Sequence, residues 1–153
     1  MMFGRDDNAP WYEAGLKFSC TQCGNCCSGP PGYVWIGEEE TAALAKHLDM
    51  TVEAFRKQYA RRAHGRWTLD ERWNARIKGY DCIFLRRDPD TGKAFCGVYK
   101  ARPTQCRTWP FWPENLRSQA SWDRASRGCP GMNRQTFYPV DEIRILRDRT
   151  PKG

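Results

Sequence analysis

The sequence has no long hydrophobic run and little histidine. No apolar segment approaches the roughly 18 residues of a membrane-spanning helix, and the mean hydropathy is −0.80. The first residues, MMFGRDDN, lack the apolar stretch and the small-residue cleavage site of a secretory signal. The chain has neither an internal repeat nor a low-complexity tract. These absences argue against membrane association and export, and they favour a cytoplasmic protein.

The length and composition are those of a small folded domain. The chain has 153 residues, of which 40% are hydrophobic and 13% aromatic, including seven tryptophans. A folded chain of this size buries roughly two-thirds of its unfolded surface, so a hydrophobic core is expected. We predict an N-terminal arm over residues 1–15, a cysteine-rich domain over residues 16–131 and a C-terminal helical extension over residues 132–153.

The net charge is strongly positive. There are 25 Lys and Arg residues against 18 Asp and Glu residues, a formal charge of +7. Such an excess favours binding to polyanions, including nucleic acid. If all eight cysteines were thiolates on two divalent metal ions, however, four of the seven positive charges would be offset. Nucleic-acid binding is therefore a possible function but not the favoured one.

Local patterns predict an α+β fold, with a short, mostly antiparallel sheet and several helices around a cysteine-bound metal centre. The predicted helices cover residues 37–48, 51–62 with Thr51 as N-cap, 114–127 and 140–149. The predicted strands cover residues 33–36, 67–69, 73–77, 82–85 and 95–99. A hairpin turn between the last two strands is expected to put Cys82 and Cys96 on adjacent strands.

The cysteines carry the chemistry of the chain. Four of them form a CxxCxxCC array and four lie farther along; they are Cys20, Cys23, Cys26, Cys27, Cys82, Cys96, Cys106 and Cys129. Two-residue spacing lets successive thiolates in a tight loop reach one metal ion or cluster, as in zinc ribbons and iron–sulfur proteins. Gly24 supplies the conformational freedom that such a loop needs. The array therefore predicts a metal centre with all eight thiols as ligands.

The partition of these ligands is open between two four-thiolate sites and one polynuclear centre. Because neighbouring side chains tend to point apart, we expect the first three cysteines of the array to share one site with a distal cysteine. Cys27 and the other three distal cysteines would form the second site. The cysteines could also have roles other than metal binding. Disulfides are the disfavoured alternative, because they are rare in a reducing compartment. Cys82 and Cys96 could be buried thiols, and Cys106 could be a reactive thiol beside Arg107.

Several side chains are candidates for supporting roles. Arg102 and Arg107 flank Cys106 and could offset thiolate charge. Tyr99 and Trp109 are the other residues expected to surround the cysteine ligands. Trp109 belongs to an aromatic stretch that could cover the metal centre and keep it dry.

Other metal ligands are less favoured than the cysteines. Imidazole suits both zinc and iron, but His47 is expected to pack on its helix and His64 to lie in a basic loop. The acidic run Glu38, Glu39 and Glu40 suits a solvated helix start better than a metal site.

Short motifs follow the array in order: Asp81-Cys82-Ile83-Phe84-Leu85, Cys96-Gly97-Val98-Tyr99, Arg102-Pro103-Thr104-Gln105-Cys106-Arg107 and Trp109-Pro110-Phe111, with Glu39, Phe55 and Tyr59 on the intervening helices. Together with residues 18–27 they resemble the bacterial YkgJ-type cysteine-cluster family, a zinc- or iron-chelating (CxxCxxCC) domain. The resemblance covers about residues 16–131. It implies that the cysteines bind zinc, iron or an iron–sulfur cluster, in one or two centres.

Three functions follow as hypotheses. The first is a metal-binding protein with a structural or redox role and no catalysis of its own. The second is an iron–sulfur or metal-dependent enzyme that modifies a protein substrate, because a related domain is associated with flagellin lysine N-methylase. The third is a basic nucleic-acid-binding module. The first is favoured, and the sequence identifies neither a catalytic residue nor a protein partner.

Overall fold

The computed structural model describes residues 9–152 and divides them into two compact units. The larger unit contains residues 22–109 and 151–152, and the smaller unit contains residues 9–21 and 110–150. The helices are α1 (Glu38–His47), α2 (Val52–Tyr59), α3 (Thr104–Thr108), α4 (Pro113–Leu116), α5 (Gln119–Ser126) and α6 (Val140–Arg149). The strands are β1 (Leu16–Phe18), β2 (Ser28–Gly29), β3 (Ala60–Ala63), β4 (Arg66–Leu69), β5 (Glu71–Asn74), β6 (Gly79–Cys82), β7 (Leu85–Arg87), β8 (Ala94–Cys96) and β9 (Met132–Tyr138). The predicted α+β class is confirmed.

The first two helices of the larger unit begin where the sequence predicts. Helix α1 starts after Gly37, whose N–H donates to the Glu40 carboxylate at 3.4 Å. Helix α2 is capped by Thr51, whose hydroxyl accepts from the Ala54 N–H at 3.1 Å. The predicted continuation of α2 to residue 62 is wrong, because residues 60–63 leave the helix and pair with β4. The turn of that hairpin has positive φ angles at His64 (50°) and Gly65 (73°).

The predicted sheet is divided into small antiparallel pieces. In the larger unit, β2, β6 and β5 form one sheet in that order, β3 pairs with β4, and β7 pairs with β8. The predicted strand over residues 33–36 is reduced to a single bridge between Trp35 and Thr68. The predicted strand over residues 82–85 is interrupted by a turn at residues 83–84, which separates β6 from β7.

This interruption corrects the predicted neighbourhood of Cys82 and Cys96. The β7–β8 hairpin exists, but Cys96 pairs with Leu85, whereas Cys82 pairs with Glu71 on β5. The two cysteines therefore belong to different sheets. The core of the larger unit forms beneath them from Ile36, Leu44, Ala45, Phe55, Leu69, Phe84 and Val98.

The smaller unit is built on a β1–β9 ribbon and three helices. Its fully buried side chains include Trp122, Phe111 and Ile143, and the Phe111 and Trp122 rings stack at a centroid distance of 5.7 Å. Helix α6 has the predicted bounds. The helix predicted over residues 114–127 is instead two helices, because Ser118 adopts an extended conformation and caps α5 through the Ser121 N–H at 3.1 Å.

The predicted arm falls outside the described residues up to position 8. From residue 9 onward the chain packs within the smaller unit: the Trp11 Nε1–H donates to the Leu116 carbonyl at 2.7 Å, and Tyr12 is buried. No helix in residues 9–152 combines the length and apolar character that a membrane span requires.

Candidate metal centre

The loop that carries Cys23, Cys26 and Cys27 is attached to the β7–β8 hairpin. The Ala94 N–H donates to the Gln22 carbonyl at 2.7 Å. Gly24 has φ of 81° and lies so close to the hairpin that a Cβ at this position would be 2.7 Å from the Ala94 Cβ. Glycine is needed here both for its left-handed conformation and for this close approach. The loop geometry therefore depends on a hairpin that lies about seventy residues farther along the sequence.

Cys26 and Cys27 lie on a 3₁₀ turn with their sulfurs 3.8 Å apart. The next residue, Ser28, pairs with Asp81 in the β2–β6 ladder. Continued by one step, this antiparallel register puts Cys27 opposite Cys82. The sheet thus brings a thiol of the array next to a thiol that is remote in the sequence.

Three cysteines share a backbone feature that the sequence analysis missed. The sulfur of Cys23 accepts the N–H of Asn25 at 3.4 Å. The sulfurs of Cys82 and Cys96 likewise accept backbone N–H groups two residues ahead, at Phe84 and Val98, and each bond favours the thiolate. A tight turn follows each of these cysteines. The only sequence signal is a glycine directly after Cys23 and after Cys96, and nothing local marks the turn after Cys82.

Five thiols of the larger unit interact with one another. They come from the loop, β6, β8 and α3, and we call them the thiol cluster: Cys26, Cys27, Cys82, Cys96 and Cys106. Burial raises the pKa of Cys82 to about 11, and it raises the pKa of Cys106 further, with Cys82, Cys96 and Cys26 adding to the effect. Burial also raises the pKa of Cys96. Packing several thiols together thus opposes their ionisation unless positive charge is supplied.

The pKa values of Cys26 and Cys27 are shifted in opposite directions. The hydrogen bond from the Cys27 thiol lowers the pKa of Cys26 to about 7, against the opposing effect of burial. Donating that hydrogen bond, together with burial, raises the pKa of Cys27 far above its ordinary value. One member of the pair is therefore poised to be a thiolate near neutral pH while its neighbour keeps its proton.

Arg102 is the cation that acts on most of the cluster. Its charge lowers the pKa of Cys26, Cys96 and Cys106, although burial and neighbouring thiols outweigh it at the last two. Its guanidinium lies 3.9 Å above the Tyr99 ring and donates to the Tyr99 carbonyl at 3.0 Å. The Arg107 guanidinium is directed to backbone, donating to the carbonyls of Arg102 at 2.8 Å and Lys100 at 3.0 Å.

The remaining candidates occupy other positions. Trp109 is half-buried at the end of α3. His47 is exposed in the last turn of α1, and the ring of His64 hydrogen-bonds the Tyr33 hydroxyl at 3.1 Å. The carboxylate of Glu40 accepts the Thr104 N–H at 2.6 Å as well as capping α1. These contacts give His64 and Glu40 structural roles.

Cys20 and Cys129 belong to the smaller unit. Cys20 is exposed and Cys129 is buried. The Ser19 N–H donates to the Gly131 carbonyl at 3.0 Å, and Gly131 has no room for a side chain against Ser19. The segments that carry these two cysteines are therefore adjacent within that unit.

The thiols fit a metal in chemistry. None of the eight cysteines forms a disulfide, and cysteine thiols are ligands for zinc and iron once deprotonated. The backbone N–H groups aimed at three sulfurs are the kind of surrounding contact that orients and stabilises thiolate ligands. Within residues 9–152, however, no three His, Cys, Asp or Glu side chains stand in an arrangement that could already hold a metal ion.

Comparison with known proteins agrees with this donor set. Residues 19–132 match the CxxCxxCC family, described as "Putative zinc- or iron-chelating domain". The chain belongs to this family. The match includes all eight cysteines, so the CxxCxxCC domain extends over both units.

One curated relative of this CxxCxxCC protein is the uncharacterized protein MJ0661 of Methanocaldococcus jannaschii. The two are 31% identical over 102 residues, which cover 65% of this chain and 48% of the relative. The chain thus spans about half the length of the relative. No solved structure matches this chain.

Proposed function

We propose that this protein binds zinc or iron through the thiol cluster, and that the metal has a structural or redox role. The observation that carries the proposal is the mutual interaction of five thiols from four separate elements. Membership of a family described as zinc- or iron-chelating supports it. Cys20, Cys23 and Cys129 are the further ligands expected from the sequence.

The electrostatics of the thiol cluster explain why a metal would bind there. Burial and mutual repulsion keep Cys82, Cys96 and Cys106 protonated at neutral pH. A divalent cation reverses that preference because it stabilises each thiolate, so metal binding releases protons. Arg102 contributes a fixed positive charge to the same group. Bound zinc would serve as a cross-link, whereas bound iron or an iron–sulfur cluster would add one-electron chemistry.

The proposal includes a reducing compartment, the cytoplasm, because thiolate ligands must stay unoxidised.

The test is metal analysis of protein purified without oxygen, together with an ultraviolet–visible spectrum. We expect near-stoichiometric zinc without a visible band, or iron with the charge-transfer bands of thiolate ligation. The Cys106→Ser variant removes one thiol of the cluster and should weaken metal affinity by at least about tenfold, measured by competition with a chelator. His47→Gln is the control, because it removes a potential ligand that lies outside the cluster.

The two other outcomes are equally informative. Protein that binds neither metal, or a Cys106→Ser variant with wild-type affinity, would refute the proposed site. The same titration on Cys129→Ser tests the sequence-based prediction that all eight thiols are ligands. Unchanged affinity there would restrict the centre to fewer cysteines.

A further inference from the structure

The larger unit contains a cavity of about 560 Å³ whose walls include Trp35, Trp67, Arg56, Arg62 and Arg66. Pockets of some 300–1,000 Å³ are typical of small-molecule sites. None of the eight cysteines lines this cavity. We propose that it binds a small organic molecule that bears a phosphate group.

The first argument is the convergence of three guanidinium groups from three elements. Arg56 of α2 and Arg62 of β3 lie 4.9 and 5.3 Å from the centre of the Trp67 ring, and Arg66 of β4 lies 4.1 Å from that of Trp35. Arg62 is the direct cross-strand partner of Trp67. The tryptophan faces hold the cations at the cavity wall through cation–π contact. Arg62 donates one N–H to the Gly65 carbonyl at 3.3 Å, and Arg66 donates one to the Lys152 carbonyl at 2.6 Å. The other N–H groups of the three guanidiniums are the ones that can recognise an anion.

The second argument is that no carboxylate neutralises these charges in the described part of the chain. Among residues 9–152, none of the three arginines forms an ion pair, whereas Arg61 on the same hairpin pairs with Glu71 at 3.1 Å. The Nε–H of Arg56 is buried and has no hydrogen-bond partner in the described part of the chain. A buried donor without a partner carries a desolvation cost that a bound anion would relieve.

The acidic residues of the cavity do not change this balance. The Glu40 carboxylate is committed to the backbone N–H groups of Gly37 and Thr104. Glu38 is exposed in the first turn of α1. Among the residues that the structure describes, no carboxylate lies within salt-bridge distance of the three guanidiniums.

The chemistry of the lining selects phosphate over other anions. Arginine forms bidentate hydrogen bonds with phosphate and carboxylate alike, but three guanidiniums match the higher charge and the three terminal oxygens of a phosphomonoester. The cavity exceeds the size of a phosphoryl group, and Trp35 and Ile36 provide apolar wall for an organic part. Single-stranded nucleic acid fits less well, because base stacking needs open aromatic faces and Trp35 is only 5% exposed.

The test is isothermal titration of the full chain, with its metal retained, using phenyl phosphate and inorganic phosphate as probes. We expect saturable one-to-one binding of phenyl phosphate, tighter than that of inorganic phosphate and tighter than that of benzoate. Arg62→Gln should weaken binding by about tenfold, because it removes charged hydrogen bonds. Arg62 is exposed, so the variant should fold, and Arg56→Gln provides a second, more buried test.

Arg76→Gln is the matched control, since this exposed arginine has the same charge but lies outside the cavity. An equal loss of affinity in Arg76→Gln and Arg62→Gln would mean non-specific charge attraction and would overturn the proposal. No saturable binding of either phosphate probe would overturn it as well. Binding of oligothymidylate alone would identify a nucleic-acid surface instead. Metal content should be unchanged in all three variants, which separates this test from that of the metal centre.

Discussion

At the residue scale, Cys26 is the thiol that should react first in metal-free protein. The hydrogen bond from Cys27 stabilises the Cys26 thiolate and lowers its pKa to about 7, so the thiolate is present above that pH. Alkylation of Cys26 by iodoacetamide should therefore rise with pH and level off with a midpoint near 7. Cys82, whose pKa is about 11, should stay unreactive over the same range. Tandem mass spectrometry of the alkylated protein measures both.

Cys27→Ala supplies the control for this interpretation. The variant removes the hydrogen-bond donor, so the midpoint for Cys26 should move upward toward the ordinary thiol value of 9.0. A midpoint that stays near 7 in Cys27→Ala would contradict the role given to the Cys27 hydrogen bond. The backbone hydrogen bond to the Cys26 sulfur and the charge of Arg102 would then be the remaining candidate causes.

The residues of the candidate site were only in part predictable from the sequence. Spacing predicts the array as ligands, and ordered motifs predict Cys82, Cys96 and Cys106; these assignments remain predictions. The N–H groups of Phe84 and Val98 that point to sulfurs were not predictable, because apolar side chains at these positions reveal nothing about their backbone. The convergence of Arg56, Arg62 and Arg66 on Trp35 and Trp67 was not predictable either, because it requires the β3–β4 hairpin.

At the element scale, the cysteine loop should depend on its close contact with the β7–β8 hairpin. Gly24→Ala adds a Cβ that would meet the Ala94 Cβ at 2.7 Å, at a residue with φ of 81°. We expect a loss of about 1–3 kcal/mol in the free energy of unfolding, from overpacking together with the strained backbone. Denaturant unfolding with metal retained measures it.

Gly92→Ala is the matched control for Gly24→Ala. Gly92 has a similar φ of 73°, but a Cβ there would have no atom within 4 Å. The variant therefore keeps the backbone strain and lacks the clash, and it should lose less stability. Equal losses in the two variants would show that backbone conformation alone matters, and that the loop–hairpin contact contributes nothing.

Elements with strong local signals were predicted well, and those decided by distant contacts were not. Helices α1 and α6 have clear starts and apolar periodicity. Helix α2 ends early because Ala60–Ala63 gains a strand partner, an effect that helix propensity cannot reveal. Strand β9 was missed since its residues 133–137 are polar or exposed, and only its pairing with β1 makes it a strand.

At the scale of the whole molecule, the metal should be a major contributor to stability. The thiol cluster joins segments from Cys26 to Cys106, and a ligand that binds only the folded state stabilises it by about 2.7 kcal/mol at a free concentration a hundred times its Kd. Burial and mutual repulsion oppose ionisation of most of these thiols. Bringing these thiols together therefore adds little to the stability of the folded protein without metal. Chelation should therefore lower the unfolding midpoint measured by calorimetry.

The comparison between variants decides whether this stabilisation comes from the cluster. His47→Gln should show the same difference between metal-loaded and metal-free midpoints as the wild type, because His47 is exposed at the end of α1. Cys106→Ser should show a much smaller difference, since one ligand is lost from α3. If metal-free wild type kept the full cooperative transition at an unchanged midpoint, the metal would not contribute to stability. The two hydrophobic cores would then stabilise the fold without it. A redox role would then account for the eight thiols better than a structural one.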